Sequence, residues 1–187
     1  MSKPGETIKR KIARAAQLLL YKRHRYPGAR EWELKKYLGT NYKAVIEAFN
    51  EYIEPLGLKV KKIEEDGVEH YAVIAAEPMP LSEVRTFGWR IDEMAVLVIS
   101  LAYILARGGT ASKKEVIELL EEKIVKWRIE RSIERFIRFG YLEEKDGNLK
   151  LGLRSKLEFD LDRLVKLIIG TKNANESGAK EPFSLPP

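Results

Sequence analysis

Residues 94–106, Met-Ala-Val-Leu-Val-Ile-Ser-Leu-Ala-Tyr-Ile-Leu-Ala, form the most apolar stretch of the chain and carry no charge. The run is too short to cross a bilayer, since a membrane-spanning helix needs ~20 apolar residues. Asp92-Glu93 precede it and Arg107-Gly108-Gly109 follow it. Acid at the start, with base and then glycine at the end, punctuates a helix in the sense its dipole favours. A helix apolar around most of its circumference has to be buried on most of it. It is therefore expected at the centre of a domain, sharing a second apolar surface with the other half of the chain or with a partner.

The N-terminal half supplies a unit of recognisable order. Over residues 7–25, Ile8, Ile12, Ala15, Ala16, Leu19 and Leu20 recur at helical spacing and mark a buried face. Lys11, Arg14, Lys22 and Arg25 share a basic stripe with Leu18. Tyr26-Pro27-Gly28 ends this helix. A shorter helix over residues 30–38 stops at Gly39, and a third over residues 42–54 turns Val45, Ile46, Phe49 and Ile53 inward before Pro55 and Gly57. The period then changes to two. Residues 58–63 and 68–73 read as strands joined through Asp66-Gly67, a strong hairpin signal. Three helices and a hairpin make a winged helix.

After a linker over residues 77–90 the same order returns. The apolar helix, residues 91–107, is followed by a capping box at Ser112 and Glu115 that opens a helix through Leu120. A third helix covers residues 126–139 and ends at Gly140. Strands at 141–145 and 149–151 then flank Asp146-Gly147. The expected fold is thus mainly α with small β-hairpins (α+β), as two tandem winged-helix domains packed together, residues 1–76 and 91–170. The second includes a last helix from Leu161 to about Ile169, capped by Asp160. Residues 171–187 lack periodicity and are expected to be a flexible tail.

Chemistry enters through charge. Lys and Arg number 34 against 28 Asp and Glu, a net charge of +6, which favours a polyanionic partner. The sequence contains no cysteine and shows neither G-x-x-x-x-G-K-[ST] nor G-x-G-x-x-G. No catalytic residue, metal site or cofactor is therefore expected, and the chain is not expected to be an enzyme. The N-terminus has no secretory pattern and no membrane span is expected, so the cytoplasm is the expected location. In a DNA-reading winged helix the third helix faces the groove. The first unit is poor in this respect, with Glu47, Glu51 and Glu54 against Lys43. The second spaces Arg128, Arg131, Arg135 and Arg138 three, four and three residues apart, a track for phosphates. The alternative is intrahelical pairing of Arg131 and Arg138 with Glu134. With Lys11, Arg14, Lys22 and Arg25, these arginines are the candidate DNA-binding residues. Leu18, Tyr21, Trp32 and Tyr37 are the candidates for an exposed partner-binding groove, the alternative being that they are core.

Several of these stretches resemble the MAGE homology domain. Leu19-Leu20-Tyr21-Lys22 is similar to that family's Leu-Leu-x-Tyr-Lys stretch. The apolar helix ending in Gly108-Gly109, followed by Glu115-Val116-Ile117-Glu118-Leu119-Leu120, resembles its apolar helix, glycine turn and Glu-rich helix. Phe139-Gly140-Tyr141-Leu142-Glu143 and Leu151-Gly152-Leu153-Arg154-Ser155 are similar to its Tyr-Leu strand and Trp-Gly-Pro-Arg turn, with Leu151 in place of the tryptophan and Leu153 in place of the proline. The resemblance implies a kleisin-interacting tandem winged-helix (KITE) protein: a non-catalytic subunit of an SMC chromosome-maintenance or DNA-repair complex. Its implied partners are a kleisin subunit, the SMC ATPase and double-stranded DNA, and its implied place is the nucleoid, or the nucleus of a eukaryote. A homodimer stays open. The competing reading is a winged-helix transcription regulator or initiation-factor-like protein that recognises a defined DNA site.

Overall fold

A computed structural model describes residues 4–21, 27–77 and 88–166. The first unit runs α1 (Pro4–Leu20), β1 (Ala29–Arg30), α2 (Glu31–Leu38), α3 (Tyr42–Ile53), a single 3-10 turn (Glu54–Leu56), β2 (Leu58–Glu65) and β3 (Val68–Ala75). The second runs α4 (Ile91–Ala106), β4 (Thr110–Ser112), α5 (Lys113–Glu121), α6 (Lys126–Phe139), β5 (Leu142–Lys145) and β6 (Asn148–Leu151), followed by α7 (Leu153–Glu158). The two orders are the same, helix, strand, helix, helix, strand, strand. Each sheet is antiparallel with its last strand in the middle, β1-β3-β2 and β4-β6-β5.

The hairpins expected from Asp-Gly are present, and their turns show why that dipeptide is needed. Asp66 and Gly67 have φ of 51° and 75°, and Asp146 and Gly147 have 52° and 74°. Both central residues are thus left-handed, the geometry whose twist matches the flanking strands and that aspartate and glycine tolerate. Each hairpin gains a short third strand that the sequence reading lacked. Ala29 and Arg30 lie opposite Tyr71 and His70, and Thr110, Ala111 and Ser112 lie opposite Lys150, Leu149 and Asn148.

Two separate cores follow. In the first, Ala15, Leu18 and Leu19 of α1 meet Leu34 and Leu38 of α2 and Val45, Ile46, Phe49 and Ile53 of α3, while Tyr42 stands edge-on to Tyr71. In the second, Val96, Leu97, Leu101 and Ile104 of α4 pack with Val116, Leu120, Ile129, Ile133 and Phe136, closed by Leu142 and Leu149. Each buried aliphatic side chain contributes about 1.5–3 kcal/mol, so each unit has its own hydrophobic centre.

The central helix corrects one expectation. It does not share its outer face with the first unit: Ile91 and Ile99 remain 48% and 40% exposed, while only the side carrying Val96, Leu97, Ser100, Leu101 and Ile104 is fully buried. Ser100 is accommodated there by donating its hydroxyl to the Val96 carbonyl at 2.7 Å. The capping box at Ser112 also does not form; Glu115 instead faces Arg107 at 3.6 Å. Asp160 does cap, accepting the Arg163 N–H at 3.0 Å, and residues 161–166 are helical.

The units meet through an element absent from the sequence reading, α7. Its Leu153 and Leu157 pack on Ala72, with Ile63 and Ile74 alongside, so the outer face of the first hairpin rests on this helix. The Lys61 ammonium donates to the carbonyls of Lys156 and Leu157 at 3.1 and 2.8 Å. These are carbonyls a helix end leaves unpaired. Lys156 returns the contact by pairing with Glu65. At its other side α7 is held to the second unit: Glu158 accepts from Tyr141 at 2.6 Å and pairs with Arg154, whose guanidinium lies 4.7 Å over the Tyr141 ring. Burial first, and then the charge on Glu158, push the Tyr141 phenol well above its usual range, so it stays a proton donor.

Candidate nucleic-acid interface

Helix α6 sorts its residues by period. Ile129, Ser132, Ile133 and Phe136 are buried, which leaves the arginines on two neighbouring outer stripes. The four do not act alike. Arg135 is half-buried and engaged on all sides, donating from one nitrogen to both Glu93 oxygens at 2.7 and 2.8 Å and from another to the Gly88 carbonyl at 3.1 Å. Its guanidinium lies 4.4 Å over the Trp89 ring, and Trp89 stacks on Phe136. Arg135 therefore fastens the start of α4 to α6, and its assignment to DNA is corrected: its charge is balanced by Glu93 and both terminal nitrogens already donate within the chain. Arg128 is intermediate, 3.4 Å from Asp92, whose carboxyl is held below its usual range first by the hydrogen bond from Arg90.

Arg131 and Arg138 are exposed. Among the described residues neither forms an ion pair, with Glu134 or any other carboxylate. They share the exposed face of α6 with Trp127, 55% exposed and unremarked in the sequence reading. The signal was available: positions 127, 131, 134 and 138 fall off the apolar stripe at 129, 133 and 136.

The wing lysines of the first unit are spoken for. Lys59 donates to the Ala76 carbonyl, Lys61 to α7, and Lys62 pairs with Glu69 at 2.8 Å. Lys22 and Arg25 lie outside the described residues. Ala75, the last residue of β3, is exposed. Lys11 and Arg14 remain on α1. Arg14 donates to Gln17 at 2.9 Å and sits 5.0 Å over the Tyr37 ring, joining α1 to α2.

The expected groove of Leu18, Tyr21, Trp32 and Tyr37 divides. Leu18 is 9% exposed and part of the core, because it falls on the same helical face as Ala15 and Leu19. Tyr21, Trp32 and Tyr37 are 74%, 54% and 39% exposed. Without Leu18 there is no apolar groove here, and the aromatics stand among cations. His70, expected on a wing strand, is buried, and that burial, followed by the nearby Arg30 charge, lowers its pKa. No three carboxylate or imidazole groups among the described residues stand close enough to hold a metal ion, and no described helix is long and apolar enough to cross a membrane.

No protein-family model matches the sequence, and no curated protein matches it significantly. The architecture has a solved counterpart. A chain solved as "Nse1-Nse3-Nse4 complex" superposes with a TM-score of 0.60 at 20% identity, over 84% of this chain and 73% of that one. The likeness is one of fold, a mainly helical α+β chain with two small antiparallel sheets.

Proposed function

We propose that this chain is a non-catalytic accessory subunit of an SMC-type chromosome-maintenance complex, built as tandem winged helices that bind a kleisin segment and touch duplex DNA through its phosphates. The observation that carries the reading is the duplicated unit, α-β-α-α-β-β with its last strand central, whose fold extends over 84% of the chain in a structure of the Nse1-Nse3-Nse4 complex. The MAGE-type motifs fall at the end of α1, on α4 and α5, and from the end of α6 through the second hairpin into α7.

Within it, α6 is the third helix of the second unit and offers Arg131 and Arg138 to phosphate, while α3 of the first unit offers Glu47 and Glu51 and is repelled. The kleisin segment docks on the outer face of α4, where Ile91, Ala95, Val98, Ile99 and Ala102 form one apolar stripe, as helix-in-groove partners require. Arg131→Glu with Arg138→Glu lowers affinity for any duplex alike, and log affinity of the parent falls with log salt by ~0.9 per phosphate neutralised. Ile99→Glu leaves the melting temperature in place but abolishes co-purification with kleisin and SMC ATPase from the native host. Recovery of an RNA polymerase component instead, or a strong preference for one DNA site, refutes the reading.

A further inference from the structure

The face of the first unit formed by α1 and α2 has no role in that proposal. It carries both cations and exposed aromatic rings. The Arg14 guanidinium lies 5.0 Å over Tyr37 and the Lys36 ammonium 5.5 Å from the same ring. Lys11 reaches the end of α2, its ammonium 3.8 Å from where a Cβ on Gly39 would stand. One turn before Lys36 on α2 is Trp32, more than half exposed, and just past the end of α1 is Tyr21, three-quarters exposed.

Of the two acids on α2, one is paired with a cation of its own helix and the other caps the helix start. Glu31 pairs with Lys35 at 2.8 Å and accepts the Tyr42 hydroxyl at 2.8 Å. The first of these contacts, then the second, lowers its pKa. Glu33 accepts the Arg30 N–H at 2.8 Å. Among the described residues Lys11, Arg14 and Lys36 have no carboxylate partner. Three exposed rings lie on or beside the helices that carry these unpaired cations, and a peptide groove needs its apolar residues contiguous, which these are not.

We propose that the α1–α2 face is a platform for single-stranded nucleic acid, on which Lys11, Arg14 and Lys36 hold phosphates while Trp32, Tyr37 and Tyr21 stack against unpaired bases. Aromatic rings set among cations suit this ligand because every base has a π-face and every linkage a charge. A duplex keeps its bases stacked inside and gives the rings nothing to meet. The cations read phosphate and the rings read base faces, and neither contacts the sugar, so DNA and RNA strands bind alike.

The test uses the full chain and fluorescence anisotropy with labelled oligo(dT), oligo(rU) and a duplex of equal length. The parent binds both single strands with similar affinity, and binding quenches the fluorescence of Trp32, a change absent from Trp32→Phe. Trp32→Ala combined with Tyr37→Ala weakens single-strand binding by about tenfold or more, as loss of base stacking does, and leaves duplex affinity within about twofold. Arg131→Glu with Arg138→Glu does the reverse, so failure of the duplex reading and failure of this one are separately visible. Tyr37→Phe keeps the ring and keeps binding. If Tyr37→Ala lowers the melting temperature, Trp32→Ala alone carries the comparison, since that side chain is more than half exposed. Equal loss of strand and duplex binding in the aromatic variants, no strand binding by the parent, or competition by inorganic polyphosphate or poly-glutamate as strong as by oligo(dT) overturns the proposal.

Discussion

Replacing Leu157 by alanine tests whether the two units are joined in solution through α7. Leu157 is 1% exposed and packs, with Leu153 of the same helix, against Ala72, Ile63 and Ile74 of the first unit. Removing a buried leucine side chain beyond Cβ costs about 2–5 kcal/mol, more where the site cannot collapse. The lower half of that range, about 2–3 kcal/mol, is expected here because α7 is a short helix able to settle into the gap. The urea midpoint falls accordingly, and because two cores exist, part of the loss appears as separation of one transition into two. Ile63→Ala, on the facing strand, provides the partner for a double-mutant cycle. Residues in contact couple by about 0.5–3 kcal/mol, whereas independent sites add within about 0.3–0.5 kcal/mol. Leu119→Ala, at a side chain 39% exposed on α5, is the control and changes stability by less than about 0.5 kcal/mol. Additivity of Leu157→Ala and Ile63→Ala, with a single unshifted transition, would refute the docked arrangement.

Leu18→Glu unfolds the first unit, since it places a charge in the core, whereas Tyr21→Glu leaves the melting temperature unchanged; circular dichroism melts of the two variants separate them. Arg135→Ala strands Glu93, which is 14% exposed, and lowers stability by about 1–3 kcal/mol, while Arg131→Ala is neutral in the same denaturation assay. Gly152→Ala destabilises by about 1–3 kcal/mol through overpacking, because the added Cβ would lie 2.2 Å from the Gly140 carbonyl oxygen; the urea midpoint reads it. His70 has a lowered pKa in the folded state, so as pH falls below ~6.5 the unfolded chain takes up the proton first. The stability His70 contributes is complete above that pH and lost as pH falls through the folded pKa, and His70→Gln flattens this part of the profile.

What was legible in the sequence is what local chemistry decides. The bounds of α6 follow from its apolar spacing and from Gly140, which ends it in a left-handed turn at φ 79°, and both hairpins follow from Asp-Gly. Strands β1 and β4 were missed because two or three residues carry no period; they exist only through pairing with β3 and β6. Helix α7 was missed for the same reason, since Leu153 and Leu157 amount to one helical repeat and their burial depends on the first unit's hairpin. The apolar circumference of α4 suggested more burial than its own unit could supply. At the candidate site, spacing put four arginines near one another but could not distinguish Arg135, whose partner Glu93 lies 42 residues away, from Arg131 and Arg138.

The distance along the chain between the two halves of the dock sets a clock during synthesis. Lys61 reaches carbonyls 95 and 96 residues further on, and at ~5–20 residues per second a ribosome takes about 5–20 s to make them. The first core draws only on residues before the linker, so it can close at once, leaving the hairpin face of Ile63, Ala72 and Ile74 without its cover for that interval. Neighbouring ribosomes on one message hold copies at different stages. A finished copy's α7 already covers its own hairpin, so the open face on a younger copy waits for the α7 of its own chain.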